Sequence, residues 1–281
     1  MDINLAHSPD ADDIFMYYAI KFGWVDVKDY NFSNSALDIE TLNREALRGI
    51  YEVTAISFGL YPQIWDDYAL LRTATSFGDG YGPKIIKKRG RRLKPNFRVA
   101  ISGEYTTNGM LFRLYYPKAR VIYMNFLDIE DAVKSGMVDA GVLIHESILD
   151  FDETLEVEKE MWDIWLELVE EELPLPLGGM ALRRSIPLNR AIEIEEILTE
   201  GVRVANSRKR ELCQELESRD LVRISDRMLD RYLNMYASED SIELSPLQIR
   251  ALNRLYRVIY NIDVDIEDYL IPRGYKEIRY K

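Results

Sequence analysis

The segment "FRVAISGEYTTNGMLFRLYYPKARVIYMNFLDIEDAVKSGMVDAGVLI", Phe97 to Ile144, sets the fold class. It contains three short apolar runs that are typical of buried strands, at Phe97–Ser102, Arg120–Asn125 and Asp139–Ile144. The stretches between them, "TTNGMLFRLYYP" and "FLDIEDAVKSGMV", have helical patterns. Strands that alternate with helices predict a parallel sheet with covering helices, so we expect an α/β protein.

The same alternation extends toward the N-terminus, where apolar spacing again changes between strand and helix periods. The predicted elements are a strand at Ile3–Ser8, a helix that starts at Asp12 or Asp13, a helix at Leu37–Ile50, and strands at Tyr51–Ser57 and Tyr68–Thr75. Asp is favoured as an N-cap, which is why one of the two aspartates is expected to begin the first helix.

Two segments that contain glycine and proline are predicted to divide the chain into lobes. One is the basic segment "KIIKKRGRRLKPNFR", Lys84–Arg98, which we interpret as a solvated connector. The other is "ELPLPLGG", Glu172–Gly179, where prolines and glycines are typical of a loop. The prediction is a larger discontinuous α/β lobe of residues 1–85 and 178–281 and a smaller α/β lobe of residues 86–177.

The C-terminal part is predicted to be almost entirely helical. "MALRRS", Met180–Ser185, is expected to be a strand that rejoins the first sheet, and helical patterns follow from Leu188 onward. In the last helix Ser245 is the expected N-cap, with Pro246 at the first helical position.

Composition excludes several classes of function. The 281 residues carry a formal net charge of −12, which disfavours nucleic acid as a partner. No run approaches the roughly 18–20 apolar residues of a membrane span, and the N-terminus lacks the pattern of a signal peptide. The single cysteine, Cys213, suits a reducing compartment, so a cytoplasmic location is expected.

Cofactor motifs are missing from the sequence. Two histidines and one cysteine, without HxxxH or CxxC spacing, predict no metal site. Neither GxxxxGK[ST] nor GxGxxG occurs, so nucleotide binding has no support. We therefore expect no metal and no organic cofactor.

Polar residues follow several of the predicted strands at their carboxyl ends. In α/β folds, ligands lie at these ends and in interdomain clefts, so such residues are expected to converge on one cleft. They are His7, Ser8, Asp10, Ser57, Ser102, Thr106, Thr107, His145 and Glu146.

His145 ends the strand "GVLI" and is a candidate general base. Its ordinary pKa, about 6.5, allows the neutral imidazole to accept a proton near neutral pH. The alternative is a histidine that only bonds a neighbouring backbone carbonyl. The position at a strand end favours the functional interpretation.

Thr106 and Thr107 begin the helix after the strand at Phe97–Ser102. Helix N-termini expose backbone N–H groups, and hydroxyls add donors, so a carboxylate or phosphate could bind there. Helix capping by Thr106 is the alternative.

The residues of the N-terminal loop also have a functional and a purely structural interpretation. Asp10, Asp12 and Asp13 could form a metal or acid/base cluster, or only a turn and a helix cap. His7 precedes Ser-Pro-Asp and could simply orient that loop.

Several motifs together resemble one enzyme family. "SPDADDIFMYYAI", "DIETLNREAL", "YEVTAISFGLYP", "YALLRTATSFGDGYGP", "EYTTNGMLFRLYYP", "DAGVLIHES" and "LPLPLGGMALRR" occur in this order between about Ser8 and Arg184. This order is similar to that of the 1,4-dihydroxy-6-naphthoate synthases of the futalosine route to menaquinone. The resemblance implies a two-lobed periplasmic-binding-protein type II-like fold and no cofactor.

The resemblance also implies a substrate and a site. The substrate would be cyclic dehypoxanthine futalosine, a small-molecule carboxylate, cleaved to 1,4-dihydroxy-6-naphthoate by a carbon–carbon lyase. His145 matches the family's proton acceptor. The positions matching substrate contacts are Asn43, Ala55, Ile56, Ser57, Thr106 and Thr107.

One motif departs from the family pattern. The family commonly has Ser-Pro-Cys-Pro-Asn-Asp, whereas this chain has Ser-Pro-Asp-Ala-Asp-Asp from Ser8 to Asp13. Because that loop borders the cleft, its acid groups are expected to alter substrate contacts. Two alternatives stay open, a chorismate dehydratase of the same pathway and a non-catalytic protein that binds a small acid. The histidine in "IHES" and the missing export signal favour the synthase.

Overall fold

A computed structural model of the protein describes residues 1–222 and 226–273. The first part of the chain contains β1 (Asp2–His7), α1 (Ala11–Lys21), β2 (Asn31–Ala36), α2 (Ile39–Ala46), β3 (Val53–Ser57), β4 (Tyr68–Leu70), β5 (Ser76–Gly78), β6 (Lys84–Lys88), β7 (Arg98–Ile101), α3 (Thr107–Tyr115), β8 (Arg120–Tyr123), α4 (Ile129–Ser135) and β9 (Ala140–Leu143). The second part contains β10 (Leu155–Glu160), α5 (Met161–Val169), β11 (Leu175–Arg183), α6 (Leu188–Ser207), α7 (Lys209–Ser218), α8 (Asp226–Tyr236) and α9 (Pro246–Tyr260).

The first sheet has the strand order β2-β1-β3-β11-β4, and β5 pairs with β11. β1 runs parallel to β2 and β3, whereas β11 runs antiparallel to β3, β4 and β5. The predicted return of the chain to this sheet is confirmed. The strand starts at Leu175, however, so the interpretation of Glu172–Gly179 as a loop is wrong over most of its length.

Close packing explains the two glycines in β11. A Cβ on Gly179 would lie 2.7 Å from the Phe58 ring, and one on Gly178 would lie 2.9 Å from the Ile56 carbonyl oxygen. The glycines are therefore needed because neighbouring groups approach the strand, not because the chain turns there.

The second sheet has the order β10-β6-β9-β7-β8. β7 pairs in parallel with β8 and β9, as the segment Phe97 to Ile144 predicts. β6 and β10 extend the sheet with antiparallel pairs. The chain passes from the first sheet to the second before Lys84 and returns between Glu160 and Leu175.

β6 corrects the interpretation of the basic segment as a solvated connector for Lys84–Lys88, whereas Arg89–Asn96 is a mostly exposed loop, as expected. Ile85 and Ile86 are completely buried in the second sheet. The Lys87 ammonium lies 2.5 Å from Glu158 and 3.5 Å from Glu156 on the neighbouring strand β10. Acids from a distant part of the chain compensate the charge of Lys87, and Lys84–Lys88 forms an interior strand of the sheet.

Of the two predicted helix N-caps, the one for α1 is wrong and the one for α9 is confirmed. Asp10, and not Asp12 or Asp13, is the N-cap residue of α1, and its side chain makes no capping bond. In α9 the predicted N-cap Ser245 accepts from the backbone of Gln248 in a complete capping box, with proline at the first helical position. The predicted C-terminal helices are all present in the described residues.

The helices cover both sheets and bury their apolar faces against them. α1 packs against α6 and α8, which places the C-terminal helices beside the carboxyl end of β1. Within the described ranges, no helix is both long and apolar enough to cross a membrane.

Candidate active site

A cavity lies between the two sheets, at the strand ends where the sequence predicts convergence. Its position agrees with the usual place of ligand sites in such folds. The lining residues are Ser8, Asp10, Asp12, Asp13, Ile39, Ala55, Ile56, Ser57, Ser76, Pro83, Ser102, Thr106, Thr107, Asn108, Ile144, His145, Leu177, Gly178, Gly179, Tyr232 and Tyr236. None of these described lining residues is a lysine or an arginine, so His145 is their only basic side chain.

His145 follows β9 at the start of a short 3-10 turn, His145–Ile148. Its φ of +54° is in the left-handed region, which is uncommon for a residue with a side chain. Such backbone conformations cost about 1–3 kcal/mol and persist where the surrounding structure enforces them. Here the conformation turns the imidazole toward α1, where the Phe126 ring packs against it at a centroid distance of 4.9 Å.

The His145 ring is paired with a carboxylate and not with a backbone carbonyl. Nδ1 of His145 forms an ion pair with Oδ2 of Asp10. Among the described residues, Nε2 has no hydrogen-bond partner although it is buried. The ring is thus held through one nitrogen, and the other remains available to a molecule in the cavity.

The pair shifts the pKa of both partners. Burial alone would lower the pKa of His145, but the charge and hydrogen bond of Asp10 raise it to about 9. Burial alone would raise the pKa of Asp10, but the charge of His145 holds it below its usual value. An imidazolium–carboxylate pair is therefore the resting form at neutral pH.

Two further acids line the cavity on α1. Burial, followed by the charge of Asp10, raises the pKa of Asp12 to about 7. Burial and the charges of Asp10 and Asp12 hold the pKa of Asp13 well above its usual range. The Asp13 carboxylate accepts from the Ser8 backbone at 2.7 Å, which fixes the turn before the helix.

Ligand atoms of Asp10, Asp12 and His145 lie within 4.8 Å of one another, close enough to consider a metal ion. Both oxygens of Asp12, however, already accept hydrogen bonds, from Ser76 Oγ at 2.8 Å and from the Tyr232 hydroxyl at 3.1 Å. His145 Nδ1 is already held by Asp10. These donors fit a hydrogen-bonded network of acids better than a ligand set.

Ser57 and Asn43 form a connected unit at the end of β3. Asn43 Nδ2 donates to Ser57 Oγ at 3.0 Å, and the Ser57 backbone donates to Asn43 Oδ1 at 2.9 Å. Asn43 is completely buried and lies behind the cavity wall, whereas Ala55, Ile56 and Ser57 form part of the wall.

The two threonines at the start of α3 both line the cavity, but their hydroxyls serve the protein. Thr106 caps α3, because its Oγ1 accepts from the Gly109 backbone at 3.1 Å. Thr107 Oγ1 accepts from the Gly59 backbone and donates to the Leu177 carbonyl, each at 2.9 Å. Binding of an acid group at this helix end would therefore depend on the backbone and the helix dipole.

Sequence reasoning missed four polar cavity residues. Ser76 directly follows the predicted strand Tyr68–Thr75, Asn108 lies in a predicted helix, and α8 brings Tyr232 and Tyr236 from the far end of the chain. The Asn108 Oδ1 atom is buried without a partner among the described residues. A polar residue just inside a helix that starts at a cleft is the signal that could have identified Asn108.

His7 lies outside the cavity lining. Its Nδ1 contacts the Ser8 carbonyl at 2.7 Å, and its Nε2 contacts Asn34 Nδ2 at 3.1 Å. Burial, the largest influence, lowers the pKa of His7. The histidine therefore orients the loop after β1, as one of its two interpretations expects.

Several polar contacts cross the cleft. The Ala11 backbone donates to Glu146 Oε1 at 2.8 Å, and the Tyr105 backbone donates to Glu40 Oε2 at 3.0 Å. Together with the contact of Asp10 and the Thr107 bonds, they connect elements of the two sheets around the cavity.

Two α/β halves around a cleft define the class of the protein. The ligand-binding component of an ABC-type import system from Staphylococcus aureus matches with a TM-score of 0.70 at 12% identity, covering 100% of both chains. A crystal structure of an Archaeoglobus fulgidus protein matches with a TM-score of 0.83 at 35% identity, covering 92% of this chain and 96% of the other. The predicted two-lobed periplasmic-binding-protein-like fold is confirmed.

Sequence comparison gives the family. A family model described as menaquinone biosynthesis matches residues 3–261. A curated relative, the 1,4-dihydroxy-6-naphtoate synthase of Thermus thermophilus, is 28% identical over 254 residues, which cover 90% of this chain and 92% of the relative. The chain belongs to the menaquinone biosynthesis family.

Proposed function

We propose that the protein is a 1,4-dihydroxy-6-naphthoate synthase, a carbon–carbon lyase that acts on cyclic dehypoxanthine futalosine. The observation that carries the proposal is the His145 ring, held at Nδ1 by Asp10 with Nε2 unpartnered among the described residues at the cavity. A solute-binding protein needs no such base. The name of the Thermus thermophilus relative supports the same reaction.

The substrate's acid group and hydroxyls would be held by uncharged donors. The lining offers the N-terminus of α3 and the hydroxyls of Ser57 and Ser102. Ser102 Oγ is buried and has no partner within the described part of the chain. Desolvated neutral donors of this kind can bind an anion without a lysine or arginine.

His145 would then remove the proton that starts carbon–carbon cleavage, which expels the sugar-derived fragment and leaves an aromatic ring. The step requires the neutral ring, in which Nε2 is the accepting atom, and the positive ring that results is stabilised by the Asp10 carboxylate. Aromatisation drives the reaction. The chain's own contribution is a placed base in a cleft that excludes water.

A direct assay tests the proposal. The purified protein is incubated separately with cyclic dehypoxanthine futalosine and with chorismate, and products are identified by mass spectrometry. Formation of 1,4-dihydroxy-6-naphthoate from the first compound supports the proposal. Dehydration of chorismate, or saturable binding of a small acid with no product from either compound, would replace it with one of the two alternatives.

His145→Gln tests the base. Glutamine can still donate to Asp10 but cannot accept the proton, so turnover should fall by about 100-fold or more while substrate binding persists. Turnover close to that of the wild type would remove His145 from the role of base.

A further inference from the structure

The contact between Asp10 and His145 joins the two halves of the protein. Asp10 follows β1 of the first sheet and begins α1, whereas His145 follows β9 of the second sheet. The next residues repeat the connection, because the Ala11 backbone donates to the Glu146 carboxylate at 2.8 Å in a buried contact. The start of α1 and the turn after β9 are thus connected by two adjacent polar contacts.

This geometry leaves the imidazole few other orientations. The backbone at His145 has a φ of +54°, the Phe126 ring packs against one side of the imidazole, and Asp10 holds Nδ1. The contact with the carboxylate fixes which nitrogen carries the proton in the neutral ring. Nε2 is then the lone-pair atom, and it is the atom without a partner among the described residues.

We propose that Asp10 is a positioning residue, which holds the His145 ring with Nδ1 protonated and Nε2 toward the substrate. Because the two side chains come from elements of different sheets, the pair depends on how the two halves are packed together. The proposal deepens the proposed function and rests on it for the reaction, although the ring geometry can be tested without substrate.

The other titratable groups near the ring define the control. Asp12 and Asp13 on α1 and Glu146 on the same turn influence the imidazole through space, and Tyr232 on α8 bonds to Asp12. Asp12 is a buried carboxyl in the same cavity and has no direct bond to His145. Asp12→Asn is therefore the matched control for Asp10→Asn.

Nuclear magnetic resonance of the ring nitrogens provides the first test. The chain has only two histidines, so His7→Gln or His145→Gln assigns the signals. In the wild type, above the titration midpoint of His145, the remaining proton should reside on Nδ1. A neutral ring protonated on Nε2 overturns the proposal, and this result requires no variant of Asp10 to fold.

The titration midpoint provides the second test. Asp10→Asn should lower the midpoint of His145 by more than about one pH unit, since burial then acts without the paired carboxylate. Asp12→Asn should lower it less. Equal shifts in the two variants, or no shift in Asp10→Asn, would show that Asp10 is not the controlling partner.

Turnover separates this proposal from the proposed function. If the ring behaves as expected but cyclic dehypoxanthine futalosine is not consumed, the proposed function fails and the positioning role stands. If the wild type consumes the substrate and Asp10→Asn leaves the pH profile of kcat/KM unchanged, the positioning role fails alone. If the pH profile of kcat/KM is displaced in Asp10→Asn but not in Asp12→Asn, both the proposed function and the positioning role of Asp10 are supported.

Discussion

Asn43 supports Ser57 from behind through two hydrogen bonds, one to the hydroxyl at 3.0 Å and one from the backbone at 2.9 Å. Because Ser57 Oγ already accepts a hydrogen bond from Asn43 Nδ2, its own proton is available to another acceptor, and Ser57 lines the cavity. The amide therefore favours the hydroxyl as a donor toward a bound molecule. Asn43 would act through Ser57 and not by touching the substrate.

A double-mutant cycle tests this relationship. Ser57→Ala and Asn43→Ala should each weaken substrate affinity, and the double variant should be little weaker than Ser57→Ala alone. The coupling should be about 0.5–3 kcal/mol, the range for residues in direct contact. Affinity is measured by calorimetry in the His145→Gln background, which prevents turnover. Additive losses would mean that Asn43 acts independently of Ser57.

The pH dependence of kcat/KM follows from the raised pKa of His145, about 9. A base must be neutral, and a group with this pKa is neutral in only about 1% of molecules at pH 7. The logarithm of kcat/KM should therefore rise with pH by about one per unit from pH 7 and level off near pH 9. The profile is measured from pH 6 to 10 by initial rates. A rate that falls over this range would assign His145 as a general acid.

The Thr107 hydroxyl connects the start of α3 to Gly59 and to β11. Thr107→Val keeps the shape but leaves the Gly59 N–H and the Leu177 carbonyl without their partner. The free energy of unfolding should fall by about 1–3 kcal/mol, the cost of an unsatisfied buried group. Thr107→Ser keeps the hydroxyl and should lose less. Equal denaturation midpoints for the two variants would contradict this role.

The first part of the basic segment, β6, is an interior strand and should behave as one. Ile86→Ala should destabilise the protein by about 2–5 kcal/mol, because Ile86 is completely buried in β6. The control is Ile122→Ala on β8, where the side chain is 38% exposed and the cost should be below about 1 kcal/mol. Chemical denaturation measures both. A similar small loss of unfolding free energy in both variants would support the interpretation of the segment as a solvated connector.

Local patterns predict elements well where one chain segment supplies all the signals. The parallel β7, β8 and β9 unit, the capping box at Ser245 and the return of the chain through β11 are of this kind. β6 could not be predicted in the same way. Its lysines resemble a surface segment until β10, formed by a stretch beginning at Leu155, brings Glu156 and Glu158 beside them.

The sequence by itself determined the α/β class and the strand ends at which a cleft would lie, because alternating hydrophobic periods and capping residues are local properties. It also identified His145 as a candidate from its position after a buried strand. Only the tertiary structure decided what surrounds the ring. Asp10 lies far from His145 in the chain, and no periodicity encodes their approach. The pKa of the histidine depends on those distances and on burial, so it becomes defined only when the two halves meet.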